Sequence, residues 1–306
     1  MNLSSSPVFR FAPSPNGPLH LGHALSALVG WRMAQAANGR FLLRIEDIDL
    51  ARSRDEHVAA IEADLAWLGL SWERPVMRQS TRFEAYARAV DQLRHWGLIY
   101  PCSATRSEID AAIASQPDPR LDPDGVPLFP NQLRRDSVFK PGVTALRLDM
   151  ARAVTLVRER LGGHPLTLRE ITPQGRIEIR LAHPERWGDV VLVRKEFPAS
   201  YHLAVVVDDA TQGVTHVTRG MDLLAATDVH RLLQVLLGLP EPNYHHHRLV
   251  SGPDGRKLSK SAGAAALASL RAEGCDINHL VATLELPMPP HATQWGQNSL
   301  FEIKTL

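Results

Sequence analysis

Two histidines flanking a glycine, in Pro18-Leu-His20-Leu-Gly22-His23, and two lysines among small hydroxyl residues, in Lys257-Leu-Ser-Lys260-Ser261, are the residues of this chain best suited to chemistry on phosphate. Imidazoles donate to phosphate oxygens, and ammonium groups neutralise charge that builds on a polyphosphate during displacement. The first group follows Val8-Phe-Arg-Phe11, an apolar run that reads as a short buried strand. Pro13, Pro15 and Pro18, with Asn16-Gly17, stop that strand and delay any helix. From Leu21 onward, Leu25, Leu28, Val29 and Met33 recur at helical spacing, and Asn38-Gly39 supplies a stop before a second strand over Phe41–Ile45. This strand, helix, strand unit puts His20 and His23 at a helix N-terminus, where unpaired amides and the dipole attract anions. Gly22, lacking a Cβ, lets a ligand approach the backbone.

Each segment alone has a plain reading, the histidines as capping or surface residues and the lysine loop as a solvated turn. Their order, with strands and helices alternating between them, points instead to one triphosphate site assembled from distant pieces of chain. Residues 54–68 and 82–96 read as amphipathic helices. Between Pro101 and Pro184 the texture changes. Gln116–Pro127 is loop-like, and Arg106, Arg120, Arg134, Arg135, Lys140, Arg147, Arg152, Arg158 and Arg160 crowd the region. It reads as an insertion between two halves of a nucleotide-binding sheet, giving an expected division into 1–99, 100–187 (insert), 188–262 and a short tail at 263–306.

The bulk numbers fit a compact soluble enzyme. A chain of 306 residues, 44% hydrophobic and 22% charged, can build a core and one appended module. No apolar run is long enough to span a bilayer and the first residues lack an export pattern, so the expected compartment is the cytoplasm. Two cysteines, Cys102 and Cys275, make no disulfide framework. The net charge of +1 decides little, because a nucleic-acid surface needs a local basic patch. The run His245-His-His247 suggests metal binding, but on a strand its side chains alternate between faces and form no ligand set.

The paired segments resemble the HIGH and KMSKS signatures of class I aminoacyl-tRNA synthetases. Arg10–His23 with Leu43-Arg-Ile-Glu-Asp-Ile-Asp49 resembles the glutamyl branch, and Gly188–Arg194, Tyr201–Asp209 and Gly213–Gly220 extend the likeness. In length the chain is similar to the short paralogues, the glutamyl-Q tRNA(Asp) synthetases, since Ala262–Leu306 is too short for the anticodon-binding region of a full glutamyl enzyme. The resemblance implies an α/β, Rossmann-like (HUP-type) parallel-sheet catalytic domain with an inserted acceptor-binding-like subdomain and no anticodon-binding domain. It implies a ligase that activates L-glutamate with ATP, accompanied by Mg²⁺, and transfers it to queuosine in a tRNA for aspartate. The expected partners are glutamate, ATP and tRNA, with the protein acting as a monomer.

By the same resemblance, His20, His23, Lys257 and Lys260 serve catalysis and, with Gly22, bind ATP. Arg10, Ala12, Ser14, Glu46, Tyr201 and Arg219 bind glutamate. Without the resemblance, Glu46 reads as an ion-pair partner of Arg44 or Arg52, and Tyr201 as core. Short members of the family often carry a zinc site opening with Cys-x-Cys. Here the matching stretch is Tyr100-Pro-Cys102-Ser-Ala104 with no further cysteine before Cys275, so zinc is not expected. Two other readings stand: a truncated glutamyl-tRNA synthetase charging a 3′ end, and a catalytically silent tRNA- or nucleotide-binding paralogue.

Overall fold

The structure, a computed structural model, describes residues 6–134, 138–250, 266–284 and 286. The chain opens with β1 (Val8–Phe11), α1 (Leu21–Ala36), β2 (Arg40–Ile45), α2 (Asp55–Trp67), β3 (Glu73–Arg78) and α3 (Phe83–His95). There follow β4 (Ile99–Cys102), α4 (Arg106–Ala114), β5 (Ala145–Leu148), α5 (Met150–Arg160), β6 (Thr167–Ile171), β7 (Ile177–Leu181) and β8 (Val191–Val193). The described chain ends with α6 (Tyr201–Thr211), β9 (His216–Gly220), α7 (Ala226–Leu237), β10 (Asn243–His247), α8 (Leu267–Ala272) and α9 (Ile277–Thr283).

Seven strands form one sheet in the order β3-β2-β1-β9-β10-β6-β7. All neighbours pair in parallel except β7, which runs antiparallel to β6. The chain builds outward from β1 through β2 to β3, then resumes on the other side of β1 with β9 and β10. A doubly wound sheet has its crevice where the direction of winding reverses, at the carboxyl ends of the strands. Here that place lies beyond Phe11 and Gly220. β1 and β2 are buried almost throughout, as expected for parallel strands covered on both faces. α1 lies close on the sheet because of Gly30, where a Cβ would sit 2.6 Å from the Thr218 Oγ1 of β9.

A second, antiparallel sheet joins β4, β5 and β8. Two pieces of chain thereby fall on the other side of the boundary expected from composition. β6 and β7, inside 100–187, extend the main sheet, whereas β8, beyond Gly188, completes the small one. The reason is hydrogen bonding: an edge strand takes whichever neighbour offers a ladder in register, and Ile171 and Leu168 are buried against the main sheet's helices and strands.

Cys102 is free and buried, and among the described residues no three His, Cys, Asp or Glu side chains gather as a metal site. One thiolate does not fit structural zinc. The small sheet is tied instead through Asp189, which accepts from the Tyr100 hydroxyl and from the Met150 amide at 3.0 Å. Its carbonyl accepts from Arg147 at 2.7 Å. Arg134 lies 4.3 Å over the Tyr100 ring and pairs with Asp149, the N-cap of α5. Several of the insert's arginines are thus committed inside the fold; Arg160 likewise donates to the last carbonyls of α7 while covering Trp96.

The tail folds back onto the catalytic core. Leu267, Leu280 and Leu284 are buried in the cluster that contains Phe9, Leu25 and Leu43. Among the described residues no helix is long and apolar enough to cross a membrane.

Replacing Asp189 with alanine removes two hydrogen-bond acceptors from partly buried donors, and the loss expected in urea unfolding is about 2 kcal/mol. A zinc chelator should leave the unfolding midpoint of the unaltered protein where it was.

Candidate active site

The strand ends at the winding reversal surround a cavity of about 570 Å³. Its walls come from Phe11–Ser14 after β1, Glu46 after β2, Gly220–Leu223 after β9 and His247–Val250 after β10, with the first turn of α1 and Tyr201 of α6. Arg10, Ala12, Ser14, His20, Gly22, His23, Glu46, Tyr201 and Arg219, singled out from the sequence, all line this one cavity. Lys257 and Lys260 lie outside the described residues. The described chain on either side of them ends at the cavity: Val250 lines it, and Ala266 forms a β-bridge with His20 while the Leu267 amide donates to the Leu19 carbonyl at 2.9 Å.

The histidines cap α1 and line the cavity at once. His20 is the N-cap, its Nδ1 accepting from the Gly22 amide at 3.1 Å, and the His23 Nδ1 accepts from the His20 amide at 3.1 Å. A ring whose Nδ1 accepts has its proton on Nε2, so in both rings the donor is Nε2. The capping interpretation and the catalytic one are therefore compatible. Gly22 also favours the cap, because a Cβ there would crowd the His20 ring, lying 3.0 Å from its Cε1.

Two charge systems sit below the histidines. In the first, Asp209 of α6 bridges Arg10 (Nε, 3.0 Å) and the fully buried Arg44 (Nη1, 2.6 Å), and Arg44 also holds Glu46 at 3.1 Å. Two guanidiniums face two carboxylates. Burial alone would raise the Asp209 pKa, but Arg10 and Arg44 outweigh it and hold the carboxyl below its ordinary value. Burial also raises Glu46, and there the nearby arginines offset it only partly, leaving it above the ordinary range. The next residue, Asp208, accepts from Gln79, Arg82 and the Tyr86 hydroxyl, pinning α6 to the β3–α3 region.

The second system centres on Arg219, 4% exposed. Its Nε donates to His246 Nε2 at 3.1 Å, its Nη1 faces His230 Nδ1 at 3.0 Å and the Tyr201 hydroxyl at 3.5 Å, and its Nη2 donates to Thr227. Every one of these partners is uncharged. Among the described residues no carboxylate lies within ion-pairing distance of this guanidinium. Burial, with the field of Arg219, keeps the surrounding imidazoles neutral: His202 and His246 fall from 6.5 to about 4, and His230 lies well below its usual value. A buried cation ringed by neutral acceptors is suited to receive an anion.

Sequence reasoning missed the parts that tune the site. The sequence alone marks Arg44 only as a partner for Glu46 and assigns no role to Asp209, Thr227, His230, His246 or Glu170. Asp208-Asp209 carried a usable signal, since two adjacent acids within the apolar helix Tyr201–Thr211 must both find partners when buried. The triple histidine does lie on a strand, with all three rings buried and hydrogen-bonded.

A parallel sheet with its cavity at the winding reversal, capped by a His-x-Gly-His helix start, is the architecture of a nucleotide-binding ligase. The family described as tRNA synthetases class I (E and Q), catalytic domain, matches residues 8–287, and the chain belongs to it. A Glutamyl-Q tRNA(Asp) synthetase of Rhodobacter capsulatus is 48% identical over 283 residues, covering 90% of this chain and 99% of that protein. One from Symbiobacterium thermophilum is 43% identical over 290 residues, covering 90% of this chain and 84% of that protein. Among solved structures, a glutamate tRNA ligase from Elizabethkingia meningosepticum, in complex with its amino acid, is similar with a TM-score of 0.64 and 27% identity over 85% of this chain. The chain spans about half of that ligase, 53% of its length.

The neutral histidines give stability a pH dependence of defined sign. Their folded pKa values lie below the unfolded 6.5, so between those values the unfolded state binds more protons. Stability conferred by His202, His216 and His246 is complete above about 6.5 and is lost as pH falls toward about 4. Urea midpoints measured across this window should fall steeply, and His246→Asn should flatten the slope.

Proposed function

We propose that this chain activates L-glutamate with ATP, forming glutamyl-adenylate without tRNA, and transfers the glutamate to queuosine in the anticodon loop of a tRNA for aspartate, acting as a monomer in the cytoplasm. The observation that carries the reading is Arg219, a buried guanidinium in the cavity wall with only neutral groups around it. A guanidinium fork matches a side-chain carboxylate, whereas a neutral amide would leave the charge unmet. Glu46, on the same cavity, takes the α-ammonium, and Arg10, Ala12, Ser14 and Tyr201 complete the amino-acid pocket. The curated relatives that bear the name Glutamyl-Q tRNA(Asp) synthetase support the same substrate and acceptor.

In the reaction, an oxygen of the α-carboxylate bonds to the α-phosphorus of ATP as the bond to pyrophosphate breaks. Catalysis then consists largely of alignment and charge stabilisation. The first turn of α1 supplies amides and dipole, and His20 and His23 donate from Nε2 toward the triphosphate. Gly22 leaves room for it. Lys257 and Lys260 neutralise the charge passing to pyrophosphate, with Lys260 nearest the reacting centre in this proposal. Mg²⁺ accompanying ATP would supply further neutralisation of phosphate charge. Beyond Tyr201 and Leu223, which line both spaces, a second cavity of about 750 Å³ opens between the small sheet and the core. Its Arg106 and Arg194 suit the backbone of an incoming RNA loop.

The deciding measurement is ATP–pyrophosphate exchange with glutamate and no RNA. Exchange should proceed, and its absence at saturating glutamate would remove the proposal. Arg219→Ala should raise the glutamate KM at least roughly tenfold, with the ATP KM unchanged. Lys260→Ala should cut turnover roughly a hundredfold, with far less effect on ATP affinity. Labelled glutamate should pass to tRNA(Asp) carrying queuosine and not to the same tRNA without it.

A further inference from the structure

The Arg10 and Arg219 guanidiniums differ in one respect that the proposed function does not explain. Arg10 meets a carboxylate directly, Asp209, at 3.0 Å. Arg219 meets one only at the remove of an imidazole. Three neighbouring strands of the main sheet carry the connection: Glu170 on β6, His246 on β10 and Arg219 on β9, with His246 in register with Arg219. Glu170 Oε2 lies 2.8 Å and Oε1 3.0 Å from His246 Nδ1, and Oε1 also accepts the His246 backbone amide at 3.0 Å. On the far side of the ring, Nε2 accepts from Arg219 Nε at 3.1 Å.

From this arrangement, and resting on the assignment of Arg219 to the glutamate side chain, we infer that Glu170 and His246 are positioning residues that set amino-acid selection by fixing the orientation of the Arg219 guanidinium. The physical reason is tautomer control. A carboxylate accepts only, so the proton of the neutral ring sits on Nδ1, and Nε2 is left bare for Arg219. With the proton on Nε2, the ring would donate toward Thr227 Oγ1, also 3.1 Å from that nitrogen, and the Arg219 Nε–H would lose its acceptor, so the guanidinium would have to turn. The imidazole passes on the orientation without adding a negative charge beside Arg219. A carboxylate in its place would pair with the guanidinium and compete with the ligand.

Glu170→Gln is the discriminating variant because it is nearly isosteric. Its amide oxygen keeps the backbone amide of His246, which places the amide nitrogen where Oε2 faced Nδ1. An N–H donor then faces Nδ1 while the amide oxygen, in the place of Oε1, stays 3.0 Å from it, so the preference for a proton on Nδ1 weakens and the Nε2 tautomer gains. In glutamate-dependent ATP–pyrophosphate exchange, the glutamate KM should rise roughly tenfold, with the ATP KM unchanged. Nitrogen-15 NMR of the unaltered protein should find the His246 proton on Nδ1, and in the variant a larger share of it on Nε2. A glutamate KM within twofold of the parent, or an equal rise in both KM values, would overturn the inference. So would an Nε2 proton on His246 in the unaltered protein, a result that needs no variant. Failure of the underlying assignment reads differently: Arg219→Ala would then leave the glutamate KM unchanged, whatever Glu170→Gln does.

Discussion

Holding Arg219 charged inside the protein is the condition on which the arrangement of the second half of the chain depends. A guanidinium is effectively always protonated, so burial cannot be relieved by losing a proton, and each of its nitrogens needs an acceptor. A carboxylate at contact distance would satisfy the charge and close the site to an anionic ligand. The fold surrounds it instead with a phenol, a threonine hydroxyl and two imidazoles, drawn from α6, α7 and β10. Those imidazoles must be uncharged, and burial beside a cation makes them so. The packing of α6 on α7, through His202, His230 and Tyr201, is thus part of the electrostatics and not only of the core.

Topology explains why so few residues suffice. Because winding reverses at β1, the ends of β1, β2, β9 and β10 open onto one crevice, and each contributes a residue of different chemistry. The α1 cap completes it. One ring nitrogen of each histidine is spent on the helix start, so helix formation and ring orientation are a single event. The bridge from His20 to Ala266 adds the tail to the same event, since α8 begins where that bridge ends.

The sequence made the first sheet unit readable because its signals were local: prolines before α1, apolar positions at helical spacing along it, Asn38-Gly39 after it. Asn38 does adopt a left-handed φ of 48°, and the two helices after β2 fall within a residue of their expected bounds. The site residues were readable through motif likeness, not through physics alone. What could not be read were relations across the chain. Whether β6 joins the main sheet or the small one depends on which neighbour lies in register, and no local pattern encodes that. Nor could Glu46 be separated from its structural role, because it fills both: it holds Arg44 and faces the cavity. Nor does the sequence sort the insert's arginines by role, as a basic residue looks alike whether it awaits phosphate or stacks on Phe129, as Arg147 does at 3.8 Å.

The central strand pair has a consequence for biosynthesis. β1 is made first, yet one of its two neighbours, β9, follows about two hundred residues later; the Val8 amide donates to Thr215 across a separation of 207 positions. At translation rates of roughly 5–20 residues per second, that delay lasts on the order of 10–40 s. Throughout it β1 lacks the strand that pairs with it on that side in the finished sheet. The pairing of β1 with β9 is therefore among the last sheet contacts that the order of synthesis allows.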